Sequence, residues 1–137
     1  MKIVKENIKS FIPHREPFIM IDNLLDATAK DFESDFLILP GNIFVKNGIL
    51  QEAALVENIA QTCAAGFGFL QRKEDSPGLG FIASISKLVI HILPAVNGRL
   101  KTRVAITHQL ENIIAIWGKS YCDEKKLLEC EMKIVIN

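Results

Sequence analysis

Between residues 48 and 72 the chain reads GILQEAALVENIAQTCAAGFGFLQR. Apolar or small side chains at 50, 53, 54, 55, 56, 59, 60, 63, 64, 67 and 70 cover well over half the circumference of the helix that this spacing predicts. A helix apolar on most sides cannot rest on a surface with one flank in water, so the rest of the chain has to wrap around it. The remainder has the pattern of a wrapper. From residue 79 onward the period is two, and 79–93, 100–110, 113–122 and 127–136 read as strands, separated by PAVNG, Glu111-Asn112 and DEKK. Ahead of the helix, 18–25 (FIMIDNLL) reads as a buried strand. A second strand over 31–39 places Phe32, Phe36 and Ile38 on one parity and stops at Pro40-Gly41. Residues 3–11 have the spacing of a short amphipathic helix, Pro13 and Pro17 keep PHREP extended or turn-like, and 73–78 (KEDSPG) reads as an exposed loop. The expectation is an α+β fold in which an antiparallel β-sheet wraps one long central α-helix, as a single domain over 1–137.

Charge and composition narrow the function classes. Lys plus Arg and Asp plus Glu each count 16, for a net charge of zero, which leaves no large basic surface for phosphates and argues against nucleic acid. Neutrality also does little to keep copies apart, so self-association is expected. No apolar run reaches the roughly 18 residues of a membrane span. Lys5, Glu6 and Lys9 interrupt the start, so no signal-peptide core is visible and a cytoplasmic location is expected. Cys63, Cys122 and Cys130 lie far apart in no ligand spacing and read as reduced thiols. With no ligand cluster and no Gly-rich phosphate loop, no metal or cofactor is expected.

Three stretches, taken in order, resemble one family. IPHREPFIMIDNLLD is similar to the N-terminal motif of the β-hydroxyacyl-(acyl carrier protein) dehydratases, a Pro-His-Arg-x-Pro-Phe run before a hydrophobic strand. GILQEAALVENIAQTCAAG resembles their central helix, a Glu followed by Ala-Gln, here Glu57, Ala60 and Gln61. FIASISKLVIHILPAVNGRLKTRVAI resembles their later strands, interrupted here by Pro94 and Asn97-Gly98. The resemblance implies the hotdog fold and a homodimer or higher even oligomer whose sites lie between protomers. It also implies action on a 3-hydroxyacyl thioester carried by acyl carrier protein or coenzyme A. In the family a loop histidine stands a fixed distance before the helix carboxylate. Counting that distance back from Glu57 lands on Ile43, beside Asn42, and no histidine lies between His14 and His91. In this the chain looks closer to dehydratase-like proteins of polyene pigment clusters than to the housekeeping enzymes.

The polar exceptions on the buried helix, Gln51, Glu52, Glu57, Asn58 and Gln61, are where chemistry is expected. By the resemblance, Glu57 and Asn42 are the catalytic candidates, with Gln61, Gly48, Ile43 and His14 as substrate-binding candidates. An apolar setting would partly desolvate Glu57 and suit it to proton transfer. Gln61, one turn on, would orient the carboxyl or the acyl group. Read without the resemblance, Glu57 is a buried acid with a structural partner, Asn42 a turn residue, and His14 a side chain that fixes its loop. His91 and His108 read as structural or surface, Phe67, Phe69 and Leu70 as core, and Glu52 points away from Glu57. Two rival functions remain: an acyl thioesterase on the same fold, and a non-catalytic acyl-binding or partner subunit beside a second hotdog chain.

Overall fold

In the computed structural model, which describes residues 1–71 and 80–136, the central helix α1 runs Glu52–Gln71 against one face of a large sheet. The strands are β1 (Asn23–Ala27), β2 (Asp31–Leu37), β3 (Val45–Lys46), β4 (Ile49–Leu50), β5 (Gly80–Ile90), β6 (Arg99–Leu110), β7 (Ile113–Cys122) and β8 (Lys125–Ile136). Six of them form an antiparallel sheet in the order β1-β2-β6-β7-β8-β5, and β3 and β4 make a separate small hairpin. Alternation sets the faces. On β6, Leu100, Thr102 and Val104 are buried while Arg99, Lys101 and Arg103 are exposed. Two glycines let helix and sheet close: a Cβ at Gly118 of β7 would run into Ile59, and one at Gly66 of α1 would run into the Phe32 ring.

The strand expected over 31–39 stops at Leu37, and those expected from 100 and 127 begin at Arg99 and Lys125. Four larger differences from the sequence reading each have a physical reason. The helix begins at Glu52 rather than at Gly48, because Asn47 (φ 53) and Gly48 (φ 77) form the two-residue turn of the β3–β4 hairpin. That primed turn needs positive φ at both positions, which no α-helix contains. The first turn structure is a 3₁₀ helix over Lys5–Ser10, and Ile3 instead bridges to Leu24 at the sheet edge. The predicted strand over 18–25 forms only from Asn23. Ahead of it, the backbone of Phe18 and Met20 is bonded to side chains of α1 rather than to a strand. The strand predicted for 79–93 ends at Ile90, where His91 and Ile92 both donate to Leu127 O. The exposed loop predicted for 73–78 lies outside the described residues.

Under the helix, a row of polar side chains crosses the inner face of the sheet. Ser34 (β2) and Thr62 (α1) share a hydrogen bond of 2.7 Å, and Thr62 also donates to Asn58 O at 2.7 Å. Thr102 (β6) donates to Asn58 Oδ1 at 2.5 Å, and Ser120 (β7), opposite Thr102, has no partner. All five residues are fully buried. At the far edge, β5 pairs only with β8 and is exposed along its length, showing Phe81, Ile82, Ile85, Leu88, Val89 and Ile90.

Candidate active site

Glu57 lies in the second turn of α1, and Gln61 follows one turn later on the same side, close enough to touch it. Gln61 is fully buried. Its Nε2 donates to Phe18 O (2.9 Å) and to Glu57 Oε2 (3.1 Å), while its Oε1 accepts from Met20 N (2.6 Å). Of the two jobs the sequence left open for Gln61, the geometry performs the first: it orients the carboxylate, and no free donor remains for an acyl group. The Glu57 side chain is 38% exposed, so it is only partly withdrawn from water.

The other polar group beside Glu57 is His14. Its Nε2 stands 3.9 Å from Glu57 Oε2, its side chain is 28% exposed, and its Nδ1 is buried with no hydrogen-bond partner among the described residues. A separation of 3.9 Å is too long for a hydrogen bond and leaves room for a substrate atom to be contacted from both sides. Burial pushes the imidazole below its usual pKa of 6.5; Glu57 pulls it back up and Arg15 pushes it further down, with burial the largest of the three. Near pH 7 the ring is therefore neutral and free to accept a proton. Arg15 also braces the loop, donating from Nη1 to Ile12 O (2.9 Å) and His14 O (2.6 Å).

His14 and Glu57 both line a cavity of about 250 Å³. The helix contributes Ala60, Ala64 and Phe67, the loop contributes Phe11 and Pro13, and β5 and β8 contribute Phe81, Ile82 and Ile134. The polar pair thus opens onto an apolar channel along the small side chains of α1. Phe67, read from sequence as core, lines this channel while stacking edge-on against Phe32 at 5.2 Å. Phe69 is partly buried, and Leu70 is exposed. Cys63 reaches the same cavity, but burial pushes its thiol up to about 12, which removes it as a nucleophile at neutral pH. All three cysteines are free. Among the described residues, no group of three or more His, Cys, Asp or Glu is placed to hold a metal ion, and no helix is long and apolar enough to cross a membrane.

Within one chain the remaining candidates lie elsewhere. Asn42 lines a different groove, with Lys5, Phe36 and Leu39. Its Oδ1 accepts from Phe44 N (2.8 Å), its Nδ2 reaches Met20 Sδ (3.4 Å), and its carbonyl accepts from Val45 N, so both side-chain ends serve the turn. Ile43 is 48% exposed in that groove. Gly48 is a hairpin glycine whose carbonyl accepts from Val96 N, and it belongs to no helix N-terminus. His91 pairs with Glu129 at 3.0 Å, and His108 is exposed on β6. Glu52, at the start of α1, is exposed.

Residues 6–135 match the ApeP-like family, described as ApeP dehydratase. The chain belongs to the ApeP-like dehydratase family. Among curated relatives, the 3-hydroxyacyl-[acyl-carrier-protein] dehydratase FabZ of Brucella ovis is 30% identical over 133 residues, covering 92% of this chain and 83% of that protein. The FabZ of Clostridioides difficile is 25% identical over 138 residues, covering 96% and 95%. Among solved structures, the dehydratase heterocomplex ApeI:P from Xenorhabdus doucetiae superposes with a TM-score of 0.86 at 15% identity, covering 96% of this chain and 91% of that one. A hypothetical thioesterase with coenzyme A from Streptococcus pneumoniae superposes at 0.65, with 9% identity and 84% of each chain covered. The ApeP-like chain thus has the hotdog fold that the resemblance implied.

Proposed function

We propose that this ApeP-like chain eliminates water from a 3-hydroxyacyl thioester borne by acyl carrier protein, with His14 and Glu57 as its catalytic residues. The observation that carries the reading is the neutral imidazole facing a carboxylate across 3.9 Å at the wall of an apolar cavity. Elimination breaks a C2–H and a C3–O bond and moves one proton from carbon to the departing hydroxyl. His14 Nε2 takes the C2 proton, and the Glu57 carboxylate stabilises the imidazolium that forms. Glu57 also accepts a hydrogen bond from the C3 hydroxyl and relays the proton from His14 to it as it leaves, so water departs with no net proton uptake. Gln61 holds the carboxylate in this position. The acyl chain lies along Ala60 and Ala64.

Family membership and the FabZ relatives support the reaction class, and the exposed apolar edge of β5 supports assembly with a second hotdog chain along that strand. The test is conversion of 3-hydroxyacyl-carrier to enoyl-carrier, followed by mass spectrometry, for the wild type, Glu57→Gln and His14→Gln. Turnover in the wild type and its loss in both variants is expected. Release of free acid instead of enoyl product would establish a thioesterase. Absence of either product unless a second hotdog chain is present, with both variants then behaving as wild type, would make this chain a non-catalytic partner.

A further inference from the structure

The segment that delivers His14 to Glu57 has no strand of its own to lean on. Antiparallel pairing begins only at Asp22, whose N–H donates to Asp35 O at 2.9 Å. Before that point Pro13 and Pro17 carry no N–H, and Phe18 N closes a turn onto Arg15 O at 2.9 Å. What ties the segment to the body of the protein is a pair of helix amides. Gln61 takes Phe18 O and Met20 N, and Asn58 Nδ2 donates to Met20 O at 2.6 Å. Asn58 is engaged at its other end as well, where Thr102 donates to its Oδ1 at 2.5 Å from β6. Met20, Asn58, Gln61 and Thr102 are all fully buried, so each bond is shielded from competing water. Asn58 neighbours Glu57 in sequence, yet it lies about 100° around the helix and does not line the cavity.

We propose that Asn58 is a positioning residue for the His14–Glu57 pair. It grips the Met20 carbonyl from the helix and is itself held by Thr102, and so fixes the loop that sets the imidazole against the carboxylate. The catalytic consequence rests on the dehydratase reading above; the geometric one does not. Losing the grip loosens a proline-rich segment whose other ties are Gln61, the Arg15 bonds, the Lys9–Glu16 ion pair and the reach of Asn42 to Met20 Sδ. The imidazole then drifts from the carboxylate and toward solvent. The charged groups facing His14 are Glu57 from α1 and Arg15 from its own loop, whereas the cavity walls from β5 and β8 (Phe81, Ile82 and Ile134) carry no charge. Since burial is the largest influence on His14, its titration reports whether the loop stays closed.

The experiment compares wild type, Asn58→Ala, Asn58→Asp, Thr102→Val and Thr102→Ser in the full chain as it assembles. It reads the His14 imidazole titration by NMR, and kcat and KM on a 3-hydroxyacyl-carrier. In Asn58→Ala the titration midpoint moves up toward 6.5, and kcat falls on the order of tenfold to a hundredfold with little change in KM, because displacement rather than binding is lost. Asn58→Asp does the same, since a carboxylate cannot donate to Met20 O. Thr102→Val moves both readouts the same way by less, and Thr102→Ser, which keeps the hydroxyl, restores wild-type behaviour. If the Asn58 variants do not fold, the Thr102 pair carries the test. An unmoved His14 titration in the folded variants, whether or not kcat falls, would overturn the proposal and leave Asn58 a packing residue. If the wild type shows no turnover at all, the dehydratase reading fails, and the titration still decides this one.

Discussion

Two loops compete for the site in this molecule, and they differ in what holds them. The loop over 39–48 is braced from within and from neighbouring loops: Asn42 accepts from Phe44 N and reaches Met20 Sδ, Asn47-Gly48 closes a tight hairpin, and Gly48 O accepts from Val96 N. The loop over 12–20 turns about Arg15 and takes the rest of its order from α1 through Asn58 and Gln61. Side chains of α1 on either side of the Met20 backbone hold the 12–20 loop, and with it His14, against Glu57; Asn42 reaches that helix only through Met20. Family resemblance points to the first loop, because that is where a relative keeps its histidine. Hydrogen bonding points to the second. The lesson is that a catalytic position follows from what anchors a side chain to its partner, and sequence spacing is only a proxy for that.

The largest effect that would sharpen this contrast is removal of the pair itself. Glu57→Gln and His14→Gln should each lower kcat for enoyl-carrier formation by about 10²–10⁴-fold while the far-ultraviolet circular dichroism stays native. The corresponding change in the other loop, Asn42→Ala, should lower kcat by less than about tenfold, while costing roughly 1 kcal/mol of stability for the lost turn bonds in a denaturant titration. If Asn42→Ala is the more damaging of the two to kcat, the comparison is reversed. Asn42→His and Ile43→His, made separately, sharpen it further. A gain in turnover from either would show that the 39–48 loop reaches the substrate, as it would if contributed by a partner chain.

The next effect is on pH. The His14 imidazole is held below 6.5 in the folded chain, so it is neutral and able to take a proton above that lowered value and loses this ability as pH falls through it. The acid limb of kcat/KM is therefore expected below 6.5. Glu57 raises the His14 pKa, so Glu57→Gln should move the NMR titration of His14 lower still. Protonation of a half-buried ring also opposes folding, so stability present above pH 6.5 drops as the pH descends toward the folded-state value, and His14→Gln should blunt that loss in thermal melts. The smallest effect on chemistry, though not on stability, is at the helix–sheet contact. Gly118→Val would collide with Ile59 and should cost about 1–3 kcal/mol without altering the pH limb.

The long helix and the four later strands were readable because both carry strong, uninterrupted periods: apolar residues around most of a cylinder, then strict alternation. The segment 18–22 was not, because FIMID has the hydrophobicity of a strand while its hydrogen-bond partners are side chains on α1, and periodicity says nothing about who the partner is. The hairpin at 47–48 was mistaken for a helix start because the apolar pattern runs on through it, although Asn-Gly is itself a turn signal. Glu57 was legible as an acid out of place in an apolar helix. His14 was legible as a loop residue and, through the resemblance, as a substrate-binding candidate, but the fold alone brings position 14 against position 57.

The polar row beneath α1 bears on folding as well as on architecture. A helix lined with alanine, isoleucine and cysteine could slide one turn, about 5.4 Å, along an apolar sheet and lose little, because such side chains accept many neighbours. Ser34, Thr62, Asn58 and Thr102 do not share that tolerance: across the helix–sheet contact Ser34 meets Thr62 and Thr102 meets Asn58 in the native alignment. Thr62 would keep its bond to Asn58 O within the helix, but a slide in either direction would leave one of Ser34 and Thr102 facing no polar side chain in a dry interior, at a cost of roughly 1–3 kcal/mol. Compact states with the helix one turn out of place are thereby lifted in energy, and the collapsing chain is left with a single seat for its helix.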